Sequence, residues 1–332
     1  LLPIGKDFPV FLHPISKAEI ALARTERKKG RGYKGFQFNT SKDVTLKDDL
    51  QRRDFTVNAL ALDENGKLYD FFSGLNDLKS KIFRHIGPEF VEDPLRLIRL
   101  ARFLAYYPEF TVHQSTMKLC KKIVSTGEIL EISKERIWIE LSKGLSGSKP
   151  INMIGFLEKT GAWKTITGCE KLSENLKKQL EYASLNGFSI FWKAAIIFRN
   201  CNDSNIHCVI PNDVIKYKKI LIQSDVLKNK LKKLKKNSQL YSTAIVSFME
   251  TSDLFRNPER KNPILKLMFF EKECFAGLKI ENCFELFSNI FDLVLNMSMG
   301  EVAKKAAEQK KSVKEEIRLF RSETIKNFLK NK

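Results

Sequence analysis

At 332 residues, 43 % of them hydrophobic, the chain is long enough for two or more domains with a sizeable core and too apolar to be disordered. No apolar run approaches a membrane span and no charged-then-apolar leader opens the chain, so an intracellular, cytoplasmic protein with no membrane partner is expected. Lys and Arg number 58 against 39 Asp and Glu, a net +19, which points to a polyanion such as nucleic acid or, more blandly, to a lysine-rich surface.

The first 72 residues read as mixed α/β structure. FPVFLH (8–13), EIALAR (19–24) and the pair flanking Glu64, Asn65 and Gly66 have strand composition around turn residues. RTERKKGRGYKG (24–35) between them reads as a basic loop, and TLKDDLQR (45–52) as a short helix. From about residue 92 the apolar spacing changes to three and four, which predicts helices over 94–107, 114–124, 133–145, 150–160, 174–185, 188–200, 211–235, 238–250, 263–275, 281–296 and 301–330. The expected class is α+β, with a small α/β head on a mixed sheet over 1–90, an all-α neck over 91–150, and a helical body and tail over 151–332.

The six cysteines include no Cys-x-x-Cys pair, and the four histidines add no zinc spacing, so the thiols read as reduced core residues. Gly30, Gly32 and Gly35 fit G-x-G-x-x-G, with Asp54 about twenty residues on, but no helix pattern follows the glycines, so a dinucleotide fold is not expected.

Two runs carry chemistry. Arg52-Arg53-Asp54-Phe55-Thr56-Val57-Asn58 sets two guanidiniums beside a carboxylate and an amide, a set that suits a triphosphate with its sugar; an Arg-capped helix end is the plain alternative. In Glu92-Asp93-Pro94-Leu95-Arg96-Leu97-Ile98-Arg99-Leu100-Ala101-Arg102-Phe103, Asp93 is a good N-cap and Pro94 a good first helical residue. Arg96, Arg99 and Arg102 share one broad face opposite the stripe of Leu97, Leu100, Ala101 and Leu104. Asp93 and Arg96, one turn apart, can lie side by side as an acceptor edge and a donor edge, the complement of a base's pairing face. A solvated basic helix face is the competing explanation.

The run DLQRRDFTVNALALDENGKLYDFFSGLNDLKSKIFRHIGPEFVEDPLRLIRLARF (49–103) resembles the class II tRNA nucleotidyltransferase family, which includes bacterial CCA-adding enzymes and poly(A) polymerases, and LARTERKKGRGYKGF (22–36) and GKDFPVFLHP (5–14) resemble, more narrowly, the bacterial CCA-adding enzymes. The likeness is dense over 5–145. It implies a template-independent transfer of C, C and A from CTP and ATP to the tRNA 3′ end with release of pyrophosphate; A-adding, CC-adding and poly(A) activities, or a non-catalytic RNA-binding remnant, are the alternatives. By the resemblance, residues 52–58 grip the nucleotide: Arg53 holds phosphate, while Asp54 and Asn58 address the ribose. Asp93 and Arg96 hydrogen-bond the base, and Arg99 and Arg102 make further nucleotide contacts. Asp70, Gly74 and Asp77 match a segment that flexes between head and neck, and ERIWIEL (135–141) matches a supporting neck motif.

Mg²⁺ is the implied cofactor, acting as a metal pair. The family's Gly-Gly turn and Asp-x-Asp metal pair are not matched, and no Asp-x-Asp occurs in the sequence. Catalytic residues are therefore unassigned, their carboxylates expected upstream of Leu1, and no metal ligand is assigned in this chain. With His207 the only histidine in the second half, no intact HD phosphohydrolase centre is expected over 191–221. The lysines of VLKNKLKKLKKN (226–237) read as a solvated face, with tRNA contact as the functional alternative. Phe8, Phe11, Phe36, Phe38, Phe71 and Phe72 are expected to fill core.

Overall fold

A computed structural model describes residues 2–3, 10–28, 36–270 and 280–331. Phe8, the glycine cluster at 30–35, Cys274 and the side chains of Phe36 and Phe38 lie outside the described residues. The class is α+β, and the chain folds as two compact units. One comprises Leu1–Leu172 with Cys201–Val209, the other Ser173–Asn200 with Ile210–Lys332.

In the first unit the strands are short and spread over four small sheets. Strands β1 (Leu2–Pro3), β2 (Val10–Leu12) and β3 (Glu19–Ala21) form an antiparallel sheet, with Phe11 opposite Ile20. Strand β4 (Thr25–Lys28) pairs antiparallel with β5 (Phe36–Asn39). The basic-loop expectation for 24–35 is therefore corrected at 25–28: ladder hydrogen bonds order a run that charge composition marks as loop. Helix α1 (Leu46–Gln51) opens with a capping box in which Thr45 and Asp48 satisfy each other's backbone amides. Next come the hairpin β6 (Ala61–Leu62) and β7 (Leu68–Tyr69), turned at Gly66 with φ +79°, and the short helix α2 (Gly74–Lys79). Strand β8 (Ile82–Phe83) then precedes helix α3 (Leu95–Tyr106). Beyond residue 92 the only described strand is β9 (Thr111–Val112), parallel to β8; two residues are too few to register as a period.

The remaining helices of this unit are α4 (Gln114–Ser125), α5 (Lys134–Leu145), α6 (Pro150–Thr160) and α7 (Ala162–Thr167). Helix α3 packs on α5 and α6 and buries the expected stripe of Leu97, Leu100, Ala101 and Leu104 together with Leu95, Ile98 and Ala105. Gly147 lets the α5 end approach α3, since a Cβ there would sit 2.7 Å from the Ala105 carbonyl oxygen. Phe55, fully buried, meets Phe83, Phe90 and Phe103 with ring centroids 5.7, 5.8 and 5.9 Å apart. Each such pair is worth about 0.5–1.5 kcal/mol beyond area burial, so this cluster anchors the 52–58 segment against α3. Phe71, by contrast, is 43 % exposed, against the core expectation.

The second unit is helical: α8 (Glu174–Leu185), α9 (Ile190–Ile197), α10 (Asn212–Leu231), α11 (Gln239–Thr251), α12 (Lys261–Met268), α13 (Ile280–Leu295), α14 (Gly300–Glu308) and α15 (Val313–Lys330). Trp192 stacks on Tyr217 at 4.2 Å. The buried Arg199 donates to Gln179 Oε1, the Leu221 carbonyl and the Asp225 carboxylate. The single helix expected over 301–330 is two: Lys310, at φ +54°, ends α14 while the Lys310 and Lys311 amides return to the Ala307 and Ala306 carbonyls. Among the described residues no helix is long and apolar enough to cross a membrane.

Candidate functional site

Helix α1 stops at Arg52, and the chain then turns through 53–58 with Phe55 driven into the aromatic core. That burial sets Asp54 inward, where it is 6 % exposed. Its Oδ1 accepts from the Phe55 amide (3.0 Å) and Asn58 Nδ2 (2.9 Å). Its Oδ2 accepts from Arg99, with Nε at 2.8 Å and the second guanidinium nitrogen at 2.7 Å. Such a fork-like pair fixes direction as well as charge. Burial works against the Arg99 cation, but Asp54, with Glu140 and Asp93 adding, outweighs it and holds Arg99 above its ordinary value.

Arg96 comes to the same place from α3. Its guanidinium donates to the Glu89 carbonyl (3.2 Å) and the Arg52 carbonyl. The side-by-side pairing of Asp93 with Arg96 is thus corrected: among the described residues no ion pair joins them. Asp93 instead takes the Leu95 amide at 3.1 Å, as a cap would, and faces Arg136 of α5 at 4.0 Å. The Arg52 carbonyl, left open where α1 ends, gives Arg96 an acceptor on the 52–58 side. Arg53 is exposed; it donates to the Asn58 carbonyl at 3.0 Å and lies 3.6 Å from Asp49. Arg52 is tied to Asp49 and to the Arg24 carbonyl. Burial would raise the Asp49 carboxyl, but Arg52, the Arg24 amide and Arg53 together hold it below its usual value.

Arg53, Asp54, Asn58, Arg96 and Arg99 are therefore brought together, with Asp93 at the helix start. Arg102 is not. Each three-residue step turns about 60° round a helix, so by Arg102 the face has rotated towards α5. There Arg102 pairs with the buried Glu140 at 2.6 Å and lies over the Phe103 ring at 4.2 Å.

Behind the segment is a polar brace. Thr56 Oγ1 donates to Asp77 (2.7 Å), which Arg84 grips with two nitrogens, while the Thr56 amide donates to the Arg84 carbonyl. Asp70 caps α2 through the Gly74 and Leu75 amides, and a Cβ on Gly74 would run into the Thr56 carbonyl. Thr56, Arg136 and Glu140 fall inside the sequence motifs at 52–58 and 135–141 but took no individual role there, because their side-chain partners Asp77, Asp93 and Arg102 lie far away in sequence; Arg84, seven residues from its partner Asp77, lay outside those motifs. Asp49 was findable, standing three and four residues before Arg52 and Arg53 on one helix.

Among the described residues no group of three or more His, Cys, Asp and Glu side chains could hold a metal ion. Asp54, buried in the cluster, already receives four hydrogen bonds or ion-pair contacts. The described residues do not fit the implied metal pair. A cavity of about 420 Å³ in this unit, lined by Leu104, Phe110, Met117 and Phe156 among others, contains none of these residues.

Residues 9–84 match the poly A polymerase head domain, and 109–167 match the probable RNA and SrmB-binding site of polymerase A. The chain is 43 % identical over 199 residues to the CCA-adding enzyme of Bordetella pertussis, covering 60 % of this chain and 55 % of that protein. It is 51 % identical over 164 residues to the multifunctional CCA protein of Methylobacillus flagellatus, covering 49 % and 40 %. The chain thus spans about half the length of these relatives. A solved tRNA nucleotidyltransferase, complexed with a primer tRNA and an incoming ATP analogue, shares the fold at TM-score 0.59 and 24 % identity, over 86 % of this chain and 84 % of that one. That family's reaction generally depends on a divalent metal. Residues 9–84 and 109–167 thus carry, in order, matches to two domains of poly(A) polymerase, in a chain that is similar in sequence to CCA-adding enzymes and shares the fold of a tRNA nucleotidyltransferase.

Proposed function

We propose that this chain selects and holds the incoming nucleotide for addition of C, C and A to the 3′ end of tRNA, taking CTP and ATP and releasing pyrophosphate. The observation that carries this is the Asp54–Arg99 fork with Asn58 on its flank and Arg96 and Arg53 beside it. It is a cluster of donors in which the buried Asp54 holds Arg99, the buried Asp49 faces Arg53, and Arg96 rests on backbone carbonyls.

In this reading Arg53, exposed, meets the triphosphate, and Arg99, held in direction by Asp54, supplies a second cation to it. Asn58, its amide oriented by Asp54, addresses the ribose hydroxyls. Arg96 leaves its two carbonyl acceptors to hydrogen-bond the base, with Asp93 offering the acceptor edge. Arg102, through Glu140, positions α3 against α5 and touches no substrate. The chain's share of catalysis is orientation and charge stabilisation. Mg²⁺ is assigned as the supporting metal, and no described residue is assigned to hold it. Residues 1–90 act as head, 91–150 as nucleotide-reading neck and 151–332 as the tRNA-holding body and tail, in a cytoplasmic enzyme.

The test is incorporation of labelled CTP and ATP, with Mg²⁺, into tRNA ending at its discriminator base, using protein from the complete gene. Addition of C, C and A that then stops is the expected product. Unlimited A, A alone or C alone moves the assignment to a sister activity, and no incorporation favours a non-catalytic RNA-binding protein.

A further inference from the structure

The cysteines fall into two chemical groups. Cys120 and Cys208 are buried and, through burial, have thiols pushed up to about 12. Such thiols yield almost no thiolate at neutral pH. Cys169 is only partly buried, a correction to the core expectation, and its Sγ lies 2.7 Å from Cys201 Sγ. That separation is shorter than a normal non-bonded contact of about 3.5–4.0 Å and within an ångström of the bond length of about 2.05 Å.

The approach is built into the fold. Cys169 follows α7, where Gly168 at φ +72° turns the chain and the Cys169 amide donates to Thr167 Oγ1 at 3.1 Å. Cys201 opens the 201–209 excursion, which returns to this unit after α9. Three further ties hold that excursion beside it: His207 donates its amide to the Ile166 carbonyl, its ring Nε2 lies 3.1 Å from the Ile132 carbonyl, and the Val209 amide donates to the Lys134 carbonyl. A Cβ on Gly168 would meet Asn205 at 2.9 Å, so glycine is what permits this approach.

We propose that Cys169 and Cys201 are a reactive dithiol that closes to a disulfide on meeting a small-molecule disulfide such as oxidised glutathione. The Cys169 thiolate, the more accessible, attacks one glutathione sulfur and expels the other as a thiolate. The Cys201 thiolate then attacks the Cys169 sulfur of that mixed disulfide and expels the second glutathione. Two protein thiols lose two electrons and two protons, and one glutathione disulfide becomes two glutathione thiols. The bond fastens the 201–209 excursion to the end of α7 and closes a covalent loop around α8 and α9.

The experiment oxidises the whole chain with glutathione disulfide, blocks remaining thiols by alkylation, and maps peptides without reduction. A Cys169–Cys201 linked peptide, two alkylated sites fewer and a thermal midpoint raised by about 5 °C or more are expected, all reversed by dithiothreitol. Cys169→Ser should abolish the linked peptide and the midpoint shift together, while its reduced midpoint stays near that of the parent. Persistent glutathione on Cys169 with no linked peptide, or full alkylation of both residues after oxidation, would overturn the proposal. A midpoint shift that survives in Cys169→Ser would also overturn it.

Discussion

The two ends of helix α3 carry the same residue at the same spacing and do different work. At the front, Arg96 and Arg99 reach the 52–58 segment, one on backbone carbonyls and one on Asp54. At the back, Arg102 turns into the packing between α3 and α5, paired with Glu140 and laid over Phe103. A repeat of three residues on a helix of 3.6 residues per turn drifts by about 60° each step. Three arginines that look equivalent in a string are therefore a pair turned to the 52–58 segment and a third turned into the helix packing. The lesson is to follow the drift before assigning a common role.

The largest effect should come from cutting the front end at its fork. Arg99→Ala leaves Asp54 buried without its cation, and breaking such a pair costs about 3 kcal/mol, at the low end because Arg99 is partly exposed. Urea unfolding should show the loss, with nucleotide binding lost in the same variant at temperatures where it stays folded. Unaltered CTP binding there would dissolve the front-end half of the comparison.

Next is the back end. Arg102→Ala strands the buried Glu140 and should lower stability by about 2–3 kcal/mol, while the ratio of CTP to ATP used is unchanged. A changed ratio with unchanged stability would show Arg102 to be a nucleotide contact and erase the distinction.

Much of this was legible. The helices from α3 to α6 sit within a residue or two of their predicted bounds because each pairs an apolar stripe with a readable start or stop. The short helices α2 and α7 were not seen: six residues hold under two turns and no period to detect, and neither opens with a capping box as the equally short α1 does. β4 hid in a run of charges. Motif and spacing pointed to Arg53, Asp54, Asn58, Arg96 and Arg99, and the structure brings these five together. The partner choices were not legible: Asp54 meets Arg99 across 45 residues and Arg102 meets Glu140 across 38, and no local rule links such positions.

A smaller effect should follow from the brace. Gly74→Ala sets a methyl against the Thr56 carbonyl, and overpacking of this kind costs about 1–3 kcal/mol. Loss of nucleotide affinity along with stability would tie α2 to the site; full affinity would confine its role to folding.

The smallest concerns pH. His85, whose ring contacts Thr116 Oγ1, is held below its ordinary value by burial first, then by His113 and Arg84. The folded state therefore disfavours its protonation, and its contribution is present above the unfolded value of about 6.5. It is lost as the pH falls from there through the lower folded value. Melting curves between pH 7.5 and 5.5 should show a decline that His85→Gln reduces. An identical decline in that variant would assign it to other groups.

The central claim is that Arg96, at the front of α3, reads the base. Steady-state addition of C and of A to tRNA by the Arg96→Ala variant of the complete protein tests it most directly. A fall of about 100-fold or more in kcat/KM, with relaxed choice between CTP and ATP and little change in melting temperature, is the predicted result. Unchanged rate and unchanged choice would contradict the account.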